Sequence, residues 1–253
     1  MKILLPPSET KRPGGSGASL DLEALALPSL RSRREEAVDA LVRLSADEDE
    51  AARVLKLSAR QREAVQDNAR LRTAGCMPAV DRYTGVLFDA LDAPSLPSAA
   101  RRWLGAHVWI HSAPFGPVGA LDRIPSYRLG AGVSVPGLAP LTRHWASSVT
   151  EAIRVASPSF VLDLRSEAYV ALGPVPTEAA SAYVRVVTEG GRALNHFNKH
   201  AKGALVRALA EDRPRASSRK GLLAWAAGSG IDLRETADRS VLELVTEQPV
   251  AKR

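Results

Sequence analysis

Ten consecutive residues, Leu194 to Gly203, hold two asparagines, two histidines and two lysines: Asn195, His196, Asn198, Lys199, His200 and Lys202. A hairpin-like run from Tyr183 to Asn198 leads into them, with its turn at Glu189-Gly190-Gly191-Arg192. A helix-like run follows, with Lys199, Lys202 and Arg207 set among Leu205, Val206 and Leu209. These polar groups thus fall where a strand ends and a helix begins. The first turn of a helix has free backbone N–H groups, so such a junction suits an anion. His196 and His200 would share a face of a continuous helix, but His196 precedes the helix, so no metal pair is expected.

Other segments could bring chemistry to this junction. Ser8-Glu9-Thr10-Lys11 follows a short apolar strand and reads as the rim of a site. It lacks the G-x-x-x-x-G-K-[ST] spacing of a P-loop. Gly14 to Gly17 reads as a plain surface loop. Arg165-Ser166-Glu167-Ala168-Tyr169 leaves the apolar run Phe160 to Leu164. Residues just past a buried strand are typical site residues in α/β folds. Ser166 and Glu167 could equally cap a following helix. The turn-rich stretch 112–129 offers Asp122, Tyr127 and Arg128. Arg128 could fork a phosphate or carboxylate, or pair with Asp122 or Glu167.

Arg82-Tyr83-Thr84-Gly85 sits inside a helical pattern opened by Pro78, with Val80, Leu87, Phe88 and Leu91 at three- and four-residue spacing. Glycine there costs about 1 kcal/mol against alanine. It marks a turn between two short helices, able to dock on a nucleic-acid backbone, or a core helix with a tolerated glycine. Spacing alone favours the core helix. His107 and His111 fall on one face of a strand 107–112 but about 13 Å apart, too far to share a metal. Cys76 is a buried apolar residue or, if exposed and acidic, a peroxide sensor.

The elements that must hold these groups are strands and helices in irregular alternation. Strands are expected at Lys2–Leu5 (stopped by Pro6-Pro7), 107–112, 160–164 and 240–246. Three helices are expected over 31–73, with capping boxes at Ser45-x-x-Glu48 and Ser58-x-x-Gln61, and another over 141–156. The pattern argues for an α/β or α+β fold with a mixed sheet. The chain of 253 residues carries a net charge of +6, a bias that fits a polyanion or a phosphate-bearing partner. One cysteine forbids an intrachain disulfide and fits a reducing, cytoplasmic setting. No apolar run reaches the length of a membrane span, and the N-terminal one is too short for a signal peptide.

Five segments in order resemble the YaaA peroxide-stress family: Ile3 to Lys11, Arg82 to Gly85, Leu121-Asp122 to Pro125-x-Tyr127-Arg128-Leu129, Ser166-Glu167-x-Tyr169 and Asn198-Lys199-x-Ala201-Lys202-Gly203. Thr10 stands where the actinobacterial form would have glycine. The resemblance implies a cytosolic protein that limits peroxide damage and is linked to lower free iron. It implies a compact YaaA-type domain over 1–253, with a central mixed sheet, surrounding helices and a positively charged cleft. A helical insertion over 30–95 would carry a helix-hairpin-helix-like element at Arg82 to Gly85. DNA binding is implied, and no settled reaction.

Two functions follow. In the first, the cleft binds DNA or another phosphate-bearing ligand through Lys199, Lys202, Arg128 and Arg82, with strong salt dependence. In the second, the protein is an enzyme on a small nucleotide-, phosphate- or amino-acid-like substrate. Glu9, Lys11, Glu167 and Lys199 are its candidate catalytic groups. Ser8, Arg82, Tyr83, Thr84, Tyr127, Arg128, Ser166, Tyr169, Asn198 and Lys202 are candidate binding groups. Two glutamates favour the second, since a bare carboxylate repels phosphate unless paired or used as acid or base. A closed concave pocket would favour an enzyme and an open basic groove DNA. No metal, cofactor or membrane is expected, and the chain is expected to be a monomer.

Overall fold

The computed structural model describes residues 1–190 and 198–246. The first strand, β1 (Lys2–Leu5), buries Ile3, Leu4 and Leu5 completely. Pro6-Pro7 end it because proline has no N–H for the ladder. A loop then leads to three helices, α1 (Arg31–Leu44), α2 (Glu48–Val54) and α3 (Ala64–Ala69). The short strand β2 (Met77–Pro78) runs into α4 (Ala79–Arg82) and α5 (Val86–Leu91). Next come α6 (Ser98–His107), β3 (Val108–Ser112), β4 (Gly116–Gly119) and β5 (Arg123–Ile124). The long helix α7 (Leu141–Ala156) buries Leu141, Trp145, Val149, Ala152 and Ile153 along one stripe. It returns the chain to β6 (Val161–Asp163) and the single turn α8 (Glu167–Val170). The remaining elements are β7 (Ser181–Val187), α9 (Asn198–Asp212), α10 (Arg219–Gly228), β8 (Leu233–Glu235) and β9 (Val241–Val245).

Seven strands form one mixed sheet in the order β4-β3-β1-β6-β7-β9-β8. The inner five run parallel, while β4 and β8 are antiparallel edges. β2 and β5 pair separately. From β1 the chain moves one way to β3, then crosses back to β6 on the other side. The strand order therefore reverses between β1 and β6, and ligands of open α/β sheets lie outside the carboxyl ends of strands at such a point. Both loops that leave these ends, after Leu5 and after Asp163, are polar. Among the described residues, no helix is long and apolar enough to cross a membrane.

Several local expectations need correction. Asp47 caps α2, its carboxylate accepting from Glu50 N–H. Ser45 instead ends α1, and its hydroxyl donates to Leu41 O at 2.8 Å. Gln61 does accept from Ser58 N–H, but the element it starts is a single 3₁₀ turn. His107 ends α6 and is not part of β3. The stretch 112–129 holds β4 and β5. The helix expected to run through Gly85 is split there, because Gly85 has φ +93°. The expected hairpin after β7 reaches outside the described residues, as do Asn195 and His196. Within them, β7 pairs with β6 and β9.

Candidate functional site

At the reversal point lies a cavity of about 940 Å³. The β1 exit gives it Pro6 to Glu9 and Lys11, and the β6 exit gives Leu164 and Ser166 to Tyr169. The start of α9 gives Asn198, Lys199 and Lys202; β7 gives Tyr183; and the loop after β5 gives Arg128 to Val133. Leu55, Lys56 and Leu87 complete the wall. Ser8, Glu9, Lys11, Arg128, Ser166, Glu167, Tyr169, Asn198, Lys199 and Lys202 are thus brought together from four parts of the sequence.

Lys11 is strongly perturbed there. Its Nζ donates to Ser8 O at 2.9 Å and Glu9 O at 3.3 Å and stands 4.0 Å over the Tyr127 ring. Burial, reinforced by the Arg128 guanidinium, lowers its pKa to about 7, while Glu9 and Asp67 pull the other way. A lysine poised there holds or releases a proton near neutrality. Arg128 binds Glu9 through one carboxylate contact at 3.1 Å and the Glu9 carbonyl at 3.3 Å. Tyr83 and Tyr127 lie below, their hydroxyls 2.8 Å apart. Burial raises the pKa of both, so both stay protonated.

The Arg82 to Gly85 segment is a brace for this loop. Arg12 N–H donates to Arg82 O at 2.8 Å, and Thr84 N–H to Thr10 O at 3.2 Å. Thr10 Oγ1 donates to Thr84 O, and Arg82 Nη1 to Arg12 O. Gly85 N–H is taken by Asp89 Oδ1. Arg82 is fully buried, its other donors on Ile124 O and Gly75 O. It has no exposed donor for a phosphate, which corrects its place among the binding residues. Tyr83, Thr84 and Tyr127 likewise lie outside the cavity wall, the two tyrosines serving as the floor under Lys11. Arg128 pairs with Glu9 and not with Asp122 or Glu167. Asp122 instead anchors a loop, accepting from Gly119 N–H at 2.7 Å and Ala26 N–H at 2.6 Å.

Ser166 occupies the cap position of α8, but its hydroxyl makes no capping bond. Below it lies a buried network. Arg165 forks onto Asp163 at 2.9 and 2.6 Å, donates to His111 Nδ1 at 2.8 Å, and reaches the Tyr169 and Gly173 carbonyls. Burial, then the Arg165 charge, lowers the His111 pKa, so the ring is neutral with its proton on Nε2. Burial also lowers Lys202, to about 8, partly opposed by Asp163. Cys76 is buried, and burial raises its pKa, so it is not an activated thiolate.

Two contributors escaped the sequence reading. Lys56 lines the cavity from the end of α2 in the left-handed region, φ +55°, where Leu57 N–H closes onto Ala52 O. Asn68, fully buried on α3, accepts from Arg128 N–H at 2.7 Å and donates to Arg128 O at 2.9 Å. α3 thereby fixes Arg128, and Ser126 donates to Asp67 on the same helix at 2.7 Å. Asn68→Ala orphans both backbone groups of Arg128. It is expected to lower stability by about 1–3 kcal/mol in urea denaturation.

The family described as peroxide stress protein YaaA matches residues 1–227. A UPF0246 protein of Streptomyces coelicolor is 45% identical over 214 residues, 83% of this chain and 82% of its own length. One from Corynebacterium efficiens is 42% identical, covering 93% of this chain and 96% of its own. One from Corynebacterium glutamicum is 40% identical, covering 97% and 100%. With a family match that takes in every segment of the cavity wall, the chain belongs to the peroxide stress protein YaaA family.

Proposed function

We propose that the protein acts in peroxide defence in the cytosol as an enzyme on a small anionic molecule, with Lys11 as its proton-transfer group. The observation that carries this reading is a partly buried lysine, titrating near 7, on the wall of a concave cavity. General acid–base groups work best when their pKa lies near the ambient pH. Arg128 and Lys199 would hold the anion, and Glu167 would serve as the second acid–base partner across the cavity. Mixed charge supports a small substrate over a duplex. Glu9 and Glu167 share the wall with the cations, and Arg82, which a DNA-binding turn would use, is buried.

The test uses Lys11→Met and Lys11→Arg in a host lacking its own copy, scored by survival after peroxide. Both variants are expected to lose protection, because arginine keeps the charge but cannot release its proton. Survival at the wild-type level with Lys11→Arg would refute the assignment. Folding is checked by thermal denaturation, which carries its own signature. The folded lysine has the lower pKa, so the unfolded chain binds more protons between about pH 7 and 10.5. Stability through this residue therefore rises with pH across that window. The wild type should gain on Lys11→Met between pH 7 and 10, whatever the offset between them at pH 7.

A further inference from the structure

We propose that the start of α9 is an anion subsite of the cavity, with Lys202 as its charged anchor and a phosphate group of the substrate as its occupant. The inference rests on the small-molecule reading above and names the chemistry of that substrate.

Lys202 is only 3% exposed, and what remains exposed lies on the cavity wall. Its Nζ stands 5.2 Å from the Tyr183 ring. The carboxylate that opposes the shift of Lys202, Asp163, is already committed. Its Oδ1 accepts from Arg165 N–H and Nε, and its Oδ2 from Arg165 Nη2. Burial disfavours the charged ammonium, and an anion arriving from the cavity would offset that cost. Lys202 lies on the cavity wall, so the anion has access.

The surroundings fit the same occupant. Asn198 and Lys202 are four residues apart on α9, and Lys199 and Lys202 three, so all three side chains share one helical face. All three line the cavity. They stand at the N-terminal end of α9 (Asn198–Asp212), the positive end of its dipole. Two lysines and a helix start suit a doubly charged group better than a single carboxylate. Asn198 Oδ1 is buried without a partner and would accept from a hydroxyl or amine next to the phosphate on the same molecule.

The experiment titrates inorganic phosphate into the wild type, Lys202→Met, Lys202→Arg, Lys11→Met and the double variant of Lys11→Met with Lys202→Met, by calorimetry at pH 7. The subsite predicts saturable binding to the wild type, a loss of about thirtyfold or more in Lys202→Met, and partial recovery in Lys202→Arg. In the Lys11→Met background, adding Lys202→Met should produce the same loss of phosphate affinity as it does in the wild type. That arm separates the subsite from the catalytic assignment, since failure of the latter leaves this loss unchanged. If Lys202→Met does not fold, crystals of the wild type soaked in phosphate decide the question. Density against Lys202 Nζ supports the proposal, and density elsewhere overturns it. Absence of binding to the wild type, or equal binding to Lys202→Met, also overturns it. So does displacement of phosphate by a short duplex, which would make the occupant a nucleic-acid backbone.

Discussion

Arg165→Met is expected to lower the unfolding free energy by about 3–5 kcal/mol in chemical denaturation, a large share of a typical domain's stability. The side chain is fully buried and serves four partners at once: Asp163, His111, Tyr169 O and Gly173 O. Removing it strands a buried carboxylate, takes the donor from a neutral imidazole, and frees the turn that carries Ser166 and Glu167. Surface ion pairs such as Arg62–Asp49 are solvated, and their loss should cost well under about 1 kcal/mol. The double variant Asp163→Leu with Arg165→Met removes both charges. It should cost less than the sum of the single changes, because no unpaired charge is left inside. Additive costs would show that the pair's role is packing alone.

Gly203→Ala is the second large effect, and its sign runs against helix propensity. Alanine inside a helix is ordinarily favoured over glycine by about 1 kcal/mol. At this position a Cβ would overlap the Leu87 carbonyl oxygen and come within 2.9 Å of Ala90 Cβ. Backbone cannot swing aside as a flexible side chain can. Overpacking should win, with a net loss of at least about 2 kcal/mol. The damage also reaches the cavity. α9 rests on α5 through Gly203, and the same helix presents Asn198, Lys199 and Lys202. Melting temperature and phosphate affinity should therefore fall together. A lowered melting temperature with unchanged affinity would show that the helix start is held by other contacts.

The strongly periodic and strongly apolar parts of the fold were legible in the sequence. Lys2–Leu5, the helix 141–156 and the strand 161–163 fell where apolar runs and prolines put them. The junctions were harder. His107 looked like a strand residue because it adjoins Val108 to Ser112, but the preceding turn captures it, its ring stacked on Trp103 at 4.2 Å. A capping box at Ser45 was a correct pattern in the wrong place, since Asp47 competes for the same helix start and wins.

The strand-exit rule singled out Ser8 to Lys11 and Ser166 to Tyr169, and all of these but Thr10 line the cavity. Arg82 to Gly85 was singled out correctly as unusual, yet composition could not distinguish a nucleic-acid contact from a brace. Only burial does that. Asn68 carried no local signal at all. An asparagine among charged helical residues reads as surface, and its purpose arises 60 residues away at Arg128. The depressed lysines were invisible for the same reason, because desolvation belongs to the assembled cavity.

The central position of β1 has a consequence for how the chain is made. The strand at the middle of the sheet is synthesised first, but its partners begin at Val108 and Val161. At 5–20 residues per second, about 5–20 s separate Leu5 from the first partner and about 8–30 s from the second. Through that interval an apolar stretch with no mate precedes the growing chain. The cavity, which the β6 exit and the start of α9 help to close, can form only late in translation. Synthesis therefore leaves a long window for chaperone capture, and ribosome pausing before residue 161 should be where misassembly of this protein begins.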